Sequence, residues 1–140
     1  MDALLKKMNF KEGMKIRVWN TPENLQPLIE NWKSSGYLAL GNDLPNFGLA
    51  FVQTEEEVSK FFLEMLPFCP KDEILWMAYP KGTSKKYKAS INRDSGWKAL
   101  GEHDFETVRQ VAIDEDWSAL RFRRISNIKT LTRKFSTKDQ

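Results

Sequence analysis

The sequence predicts an α/β domain: a three-layer sandwich built on a mostly parallel sheet of about five strands and closed by a C-terminal antiparallel hairpin. Three observations predict it. Short apolar runs alternate with stretches of helical period, giving the order β-α-β-α-β-α-β-β and hence right-handed crossovers. Two of the runs, FGLAFVQ (47–53) and EILWMAY (73–79), are apolar almost throughout, as strands covered on both faces are. The last two runs are separated only by an acidic turn, which is too short for a parallel crossover.

Each element has its own signal. DALLKKM (2–8) reads as a short helix, and Gly13 ends the turn after it. MKIRVW (14–19) reads as a strand with Ile16 and Val18 on one face. Thr21 is placed to cap a helix and Pro22 to open it, with Leu25, Leu28, Ile29 and Trp32 turned inward. Ser34, Ser35 and Gly36 end that helix. Residues 37–46 connect it to the second strand. Thr54-Glu55-Glu56-Glu57 forms a capping box for the next helix, whose buried stripe is Val58, Phe61, Phe62 and Met65. Pro67 and Pro70 stop it. SGWKAL (95–100) is a short helix, and 105–114 with 116–125 make the hairpin. The expected spatial order is 1-2-3-5-4, a Rossmann-like arrangement that also resembles the C-terminal half of Rossmann-like methyltransferases. One domain spans 1–125, and 126–140 is a basic tail expected to be flexible.

Composition narrows the function classes. Cys69 is the one cysteine, so an internal disulfide and a CxxC zinc site are both excluded. In the setting LPFCP it reads as a small buried hydrophobe. No apolar stretch approaches the ~20 residues that span a bilayer. Lys6 and Lys7 interrupt the only apolar run near the start, which leaves no signal-peptide core and a cytoplasmic expectation. The net charge of +3 divides into blocks: −3 over 1–80, +5 over 81–98, −5 over 99–116 and +6 over 117–140. Basic and acidic stretches can therefore neutralise one another in the fold.

Ligands of open parallel sheets lie beyond the carboxyl ends of the strands. That rim carries Asn20-Thr21, Gln53-Thr54, the loop PKGTSKKYK and the turn Asp114-Glu115-Asp116. The loop supplies the candidate anion site: Lys81, Gly82, Thr83, Ser84 and Lys85, with Arg93 and Trp97 flanking it. The competing reading pairs Lys81, Lys85 and Lys86 with the acidic turn. The loop lacks the spacing of a P-loop, and WNTPEN after the first strand is no GxGxxG, so no dinucleotide or other cofactor is expected. A second constellation is DWSALRFRR. Trp117, Arg121 and Arg123 share one strand face and could serve nucleic acid together with the basic 121–138 segment. The competing reading packs the Trp under a helix and lets the arginines snorkel. His103 is the only histidine and falls on the opposite rim, so no catalytic residues and no metal ligands are assigned. An anionic small molecule or a protein partner is the expectation, and a membrane is not.

Four segments, LKKMNFKEGMKIRVWNTPE, ILWMAYPKGTS, INRDSGW and VRQVAIDEDWSALRFR, together resemble a family of small bacterial proteins carried as a domain of unknown function. The likeness runs from about residue 4 to 125. It places motif positions at Tyr79, Pro80, Lys81, Gly82 and Ser84, then at Arg93, Asp94, Gly96 and Trp97, then at Asp114, Trp117, Ser118, Arg121 and Arg123. The resemblance implies a cytoplasmic α/β fold and no particular reaction.

Overall fold

Two almost wholly apolar segments set the middle of the sheet. Phe47–Phe51 (β2) and Ile74–Pro80 (β3) are buried at every position and pair in parallel, Phe47 against Ile74 through Phe51 against Ala78. Ile16–Trp19 (β1) adds in parallel to β2. Phe105–Ala112 (β4) and Trp117–Arg124 (β5) form the closing hairpin. The computed structural model describes residues 2–128. Its single sheet of five strands has the order β1-β2-β3-β5-β4, the expected one.

The pairing corrects one expectation. The sheet is mixed rather than mostly parallel: β1–β2 and β2–β3 are parallel, whereas β3–β5 and β5–β4 are antiparallel. The four-residue turn after β4 cannot carry a crossover, so β5 must run backwards, and it enters between β3 and β4.

Helices Ala3–Lys7 (α1) and Gln26–Ser34 (α2) cover one face, where Leu5, Met8 and Trp32 meet Ile16, Phe47, Leu49 and Trp76. Helices Glu55–Met65 (α3) and Lys98–Glu102 (α4) cover the other, where Val58, Phe62, Met65 and Leu100 meet Leu75, Met77 and Leu120. The chain after α2 does not pass directly to β2. It first returns along the other edge of β1, where Ile16 N–H donates to Tyr37 O at 2.7 Å and Ala39 N–H to Ile16 O at 2.8 Å. This short parallel bridge, Ile16 to Leu38, reverses the direction of travel across the sheet. Right-handed crossovers in opposite directions place α2 and α3 on opposite faces.

The helix starts differ from expectation in detail. Pro22 is extended and precedes a 3-10 turn at Glu23–Leu25; α2 proper begins at Gln26, with Pro27 in its first turn. Proline is tolerated there because that N–H would have no intrahelical acceptor. Thr54 caps α3 as expected, accepting from Glu57 N–H at 3.2 Å. The Glu57 carboxylate reaches one residue further than a capping box, to Gln53 N–H at 2.8 Å. After β5, Ile125–Asn127 form a 3-10 turn, and Asn127 Nδ2 donates to Lys71 O at 3.2 Å. The described residues thus continue past 125 to 128, and the rest of the segment expected to be a flexible tail lies outside the described residues.

Gly96 and Gly82 separate two uses of glycine. Gly96 sits at φ +106°, and a Cβ there would lie 2.3 Å from Ile91 Cγ2. At Gly82 a Cβ would meet nothing within 4 Å. Gly96→Ala should therefore cost about 2–4 kcal/mol in denaturant unfolding, combining overpacking with left-handed backbone strain. Gly82→Ala should stay within about 1 kcal/mol of wild type.

Candidate anion-binding cleft

The basic loop is attached to the acidic turn by neutral and charge-assisted hydrogen bonds. Pro80, the last residue of β3, is paired with Trp117, and the next amide, Lys81 N–H, donates to Asp116 O at 2.8 Å. The Ser84 hydroxyl donates to the Asp116 carboxylate at 2.8 Å and accepts from Tyr87 N–H at 3.0 Å. Asp114 Oδ1 accepts from Asp116 N–H and Trp117 N–H at 2.8 and 2.7 Å, and Oδ2 accepts from Asn24 Nδ2 at 3.3 Å. The Tyr87 hydroxyl closes the circuit on Asn24 Oδ1 at 2.8 Å.

The expected pairing of Lys81, Lys85 and Lys86 with Asp114, Glu115 and Asp116 is absent among the described residues. Asp114 and Asp116 are instead occupied by donors at fixed backbone distance, whereas a lysine loses side-chain entropy in every exposed pair.

Beside this loop, on the α3/α4 side of the sheet, a cleft of about 590 Å³ opens at the carboxyl ends of β3 and β4. Three strands supply its floor. Tyr79 of β3 stands opposite Ser118 of β5, and Ser118 stands opposite Ala112 of β4. Gln110, two residues before Ala112, reaches across with Nε2 to Tyr79 Oη at 3.1 Å and Ser118 Oγ at 3.0 Å. Lys81, Gly82 and Thr83 form one wall; Asn92 and Arg93 form the other. A smaller hollow of about 280 Å³ shares Lys81, Gly82 and Asn92 and continues towards Tyr87 and Ile91.

Tyr79 and Ser118 are buried, at 5% and 4% exposure, although both face the cleft floor. Burial raises the Tyr79 phenol above its ordinary value; the nearby Ser118 hydroxyl and Arg93 guanidinium oppose this, and the Asp94 carboxylate adds to it. The phenol is therefore a neutral hydroxyl throughout the physiological range.

Of the residues singled out in the sequence, Lys81, Gly82, Thr83 and Arg93 line this cleft. Ser84 lines the smaller hollow and is engaged by Asp116. Lys85 is exposed and lines neither. Trp97 is fully buried and cannot flank a ligand; its Nε1 donates to Asn92 O at 2.8 Å and its ring packs against Tyr79 and Phe122. It holds the Asn92–Arg93 wall from behind. Gln110 and Asn92 had drawn no attention, and Tyr79 and Ser118 had been motif positions without a role. The available signal was Ser118, a lone hydroxyl inside the core run WSAL.

The nucleic-acid candidates fall elsewhere. Trp117 is 1% exposed, with its ring between Phe51 and Tyr87 at centroid distances of 5.2 and 5.0 Å, so no face is free for a base. Arg121 and Arg123 lie towards the opposite rim. Arg121 Nη1 donates to Asn9 Oδ1 at 3.1 Å, and its pKa is lowered first by burial and then by Arg123. Arg123 grips Asp72 with two hydrogen bonds, of 3.1 and 2.6 Å. The remainder of the basic segment, from 129 on, is outside the described residues. His103, at the end of α4, has Nδ1 3.0 Å from Ala99 O and its ring against Phe62. No group of three His, Cys, Asp or Glu side chains among the described residues could hold a metal ion, and no helix among them is long and apolar enough to cross a membrane.

The fold and cleft together define a small Rossmann-like α/β domain with a cationic hollow beside its sheet. No protein-family model and no curated protein matches the chain. Among solved structures it is similar to a protein in the NADB-Rossmann superfamily from Streptococcus agalactiae, at 10% identity and a TM-score of 0.53, with 86% of this chain and 67% of that one covered. At that identity the likeness shows the fold alone.

Cys69 lies away from the cleft, buried, with its thiol pushed up to about 12, mainly by burial and further by Glu73, against an opposing pull from Arg124. The native thiol should resist a disulfide reagent at pH 8 and react only on unfolding. The linkage has a definite sign. The unfolded thiol ionises near 9.0 and the folded one near 12, so the Cys69 contribution is intact below about pH 9 and declines as pH rises towards 12. Cys69→Ala should flatten the alkaline limb of a stability profile over that window.

Proposed function

We propose that the protein is a non-enzymatic domain that binds an anionic small ligand in the cleft at the carboxyl-end rim of its sheet. One observation carries this reading. The cleft walls hold two cations, Lys81 and Arg93, no Asp or Glu lines the cavity, and neither cation makes an ion pair among the described residues. The volume of about 590 Å³ falls within the range of small-molecule sites. Gly82, free of any packing constraint, lets the ligand approach the loop backbone. The carboxylates near the rim support the reading too, because Asp114 and Asp116 are engaged with the turn and with Ser84 instead of the cations. Of the motif positions that resemble the small bacterial family, Tyr79, Lys81, Gly82, Arg93 and Ser118 line this cleft, and the reading keeps the cytoplasmic setting that the resemblance implies.

Nucleic-acid binding through 121–138 has no comparable support, since Trp117 is buried and Arg121 and Arg123 are engaged by Asn9 and Asp72.

Calorimetric titration with a panel of phosphates, sulfate and small carboxylates at moderate salt tests the proposal. Wild type should bind at least one class of anion. Lys81→Ala combined with Arg93→Ala should weaken that binding by about 100-fold, given two lost charge-assisted hydrogen bonds. Lys85→Ala should leave it unchanged. Equal affinity in wild type and the double variant would remove the cleft from consideration.

A further inference from the structure

The polar groups on the cleft floor and walls have unequal numbers of donors and acceptors left over. Gln110 Nε2 gives its two hydrogens to Tyr79 Oη and Ser118 Oγ. Each of those oxygens is thereby an acceptor within the protein, and the two hydroxyls are also hydrogen-bonded to each other, so the pair has one hydroxyl proton left to give a ligand. Asn92 repeats the pattern: Oδ1 accepts from Asp94 N–H at 2.8 Å and the main-chain O accepts from Trp97 Nε1. Its amide hydrogens remain. Lys81 and Arg93 bring donors only. The acceptors left over are Gln110 Oε1 and the Thr83 hydroxyl, which can also donate.

A site of this kind suits a ligand rich in lone pairs that also carries one hydroxyl. A carboxylate offers two oxygens in one plane. A phosphoryl group offers three or four oxygens arranged tetrahedrally, enough for cations on two walls and the hydroxyl pair on the floor together, and a protonated phosphate oxygen or a further, unesterified hydroxyl of the ligand can satisfy Gln110 Oε1. Buried donors left unpaired discriminate strongly against a ligand that cannot reach them.

Resting on the anion reading above, we infer that the cleft selects a phosphoryl oxyanion over a carboxylate, and that the coupled hydroxyl pair of Tyr79 and Ser118, oriented by Gln110, is its specificity-determining donor. The ligand class is a phosphate monoester or free phosphate. The donors act from rigid strands, so they are preorganised before binding. The wall lysine supplies attraction, and the floor supplies the choice between anions.

The experiment compares inorganic phosphate, ribose 5-phosphate and succinate as probes, by calorimetry, on wild type, Tyr79→Phe, Ser118→Ala and the Lys81→Ala/Arg93→Ala variant. Thermal melts of each unliganded protein are recorded alongside. Phosphate or the sugar phosphate should bind wild type in preference to succinate. Tyr79→Phe and Ser118→Ala should each weaken that binding by about tenfold or more, and should narrow the preference over succinate. Ser118→Ala guards against the case in which Tyr79→Phe disturbs the floor, which its melting temperature would reveal. Phosphate binding that vanishes in the double variant yet is unchanged in both floor variants would overturn this inference and leave the cleft reading standing. Preference for succinate would do the same. Binding of no probe to wild type would overturn both.

Discussion

The antiparallel ladder between β3 and β5 determines where everything else lies. β3 is buried on both faces, so its free edge must find a partner for each N–H and C=O. A helical crossover from β3 could have delivered β4 to that edge in parallel. Instead the hairpin inserts β5, Leu75 against Phe122 through Pro80 against Trp117. β4 is displaced to the outside of the sheet, and the turn between them is brought onto the loop that leaves β3. From that pairing follow the Lys81–Asp116 backbone bond, the Ser84–Asp116 bond and the floor shared by Tyr79, Ser118 and Gln110.

The tryptophans make this arrangement rigid. Three fully buried indoles each tie a distant segment to the core through their one donor. Trp32 donates to Asp2 at 3.0 Å, Trp76 to Met8 O at 3.0 Å and Trp97 to Asn92 O at 2.8 Å. The first two hold α1 down over the α2 face. The third fixes a cleft wall, and Gly96 beside it allows the close approach to Ile91 that the same loop requires. Asp2 serves twice, because its other oxygen caps α1 at Leu5 N–H. A buried donor left without a partner is costly, as Trp117 Nε1 is among the described residues, so each of these three bonds favours the placement of its segment.

The sequence made some of this legible and hid the rest, for physical reasons. FGLAF and ILWMAYP announced the inner strands because burial on both faces erases alternation, and Thr54 announced α3 because a cap acts over three residues. The strand order followed from connection lengths. The floor was hidden because Tyr79, Gln110 and Ser118 meet only through strand register, and register is a tertiary fact. Gln110 in FETVRQVA reads as one more polar residue of a solvated edge, which it also is. Trp97 reads as ligand-facing, and Trp117 stays open between a ligand face and a covered one, for a related reason: spacing gives the face of a strand or helix, but it does not say which layer covers that face. Lys85 looked equivalent to Lys81 because charge in a loop carries no direction until the loop is tied down.

The position of the cleft differs from the usual one for a doubly wound sheet, and the reason is visible at β1. The bridge at Leu38 puts α2 and α3 on opposite faces, so the topological switch point falls between β1 and β2. A ligand of such a sheet ordinarily enters the crevice there. In this chain Asn20 stands at that place. It adopts φ 61°, donates through Nδ2 to Phe51 O at 2.8 Å, and reaches Glu57 Oε2 at 3.1 Å. The carboxylate that would otherwise be free at the start of α3 is thereby committed to Asn20 and to the Gln53 amide. The inserted strand β5 supplies the cleft beyond β3 with its floor, so the mixed sheet that departs from the parallel plan is also what creates that cleft.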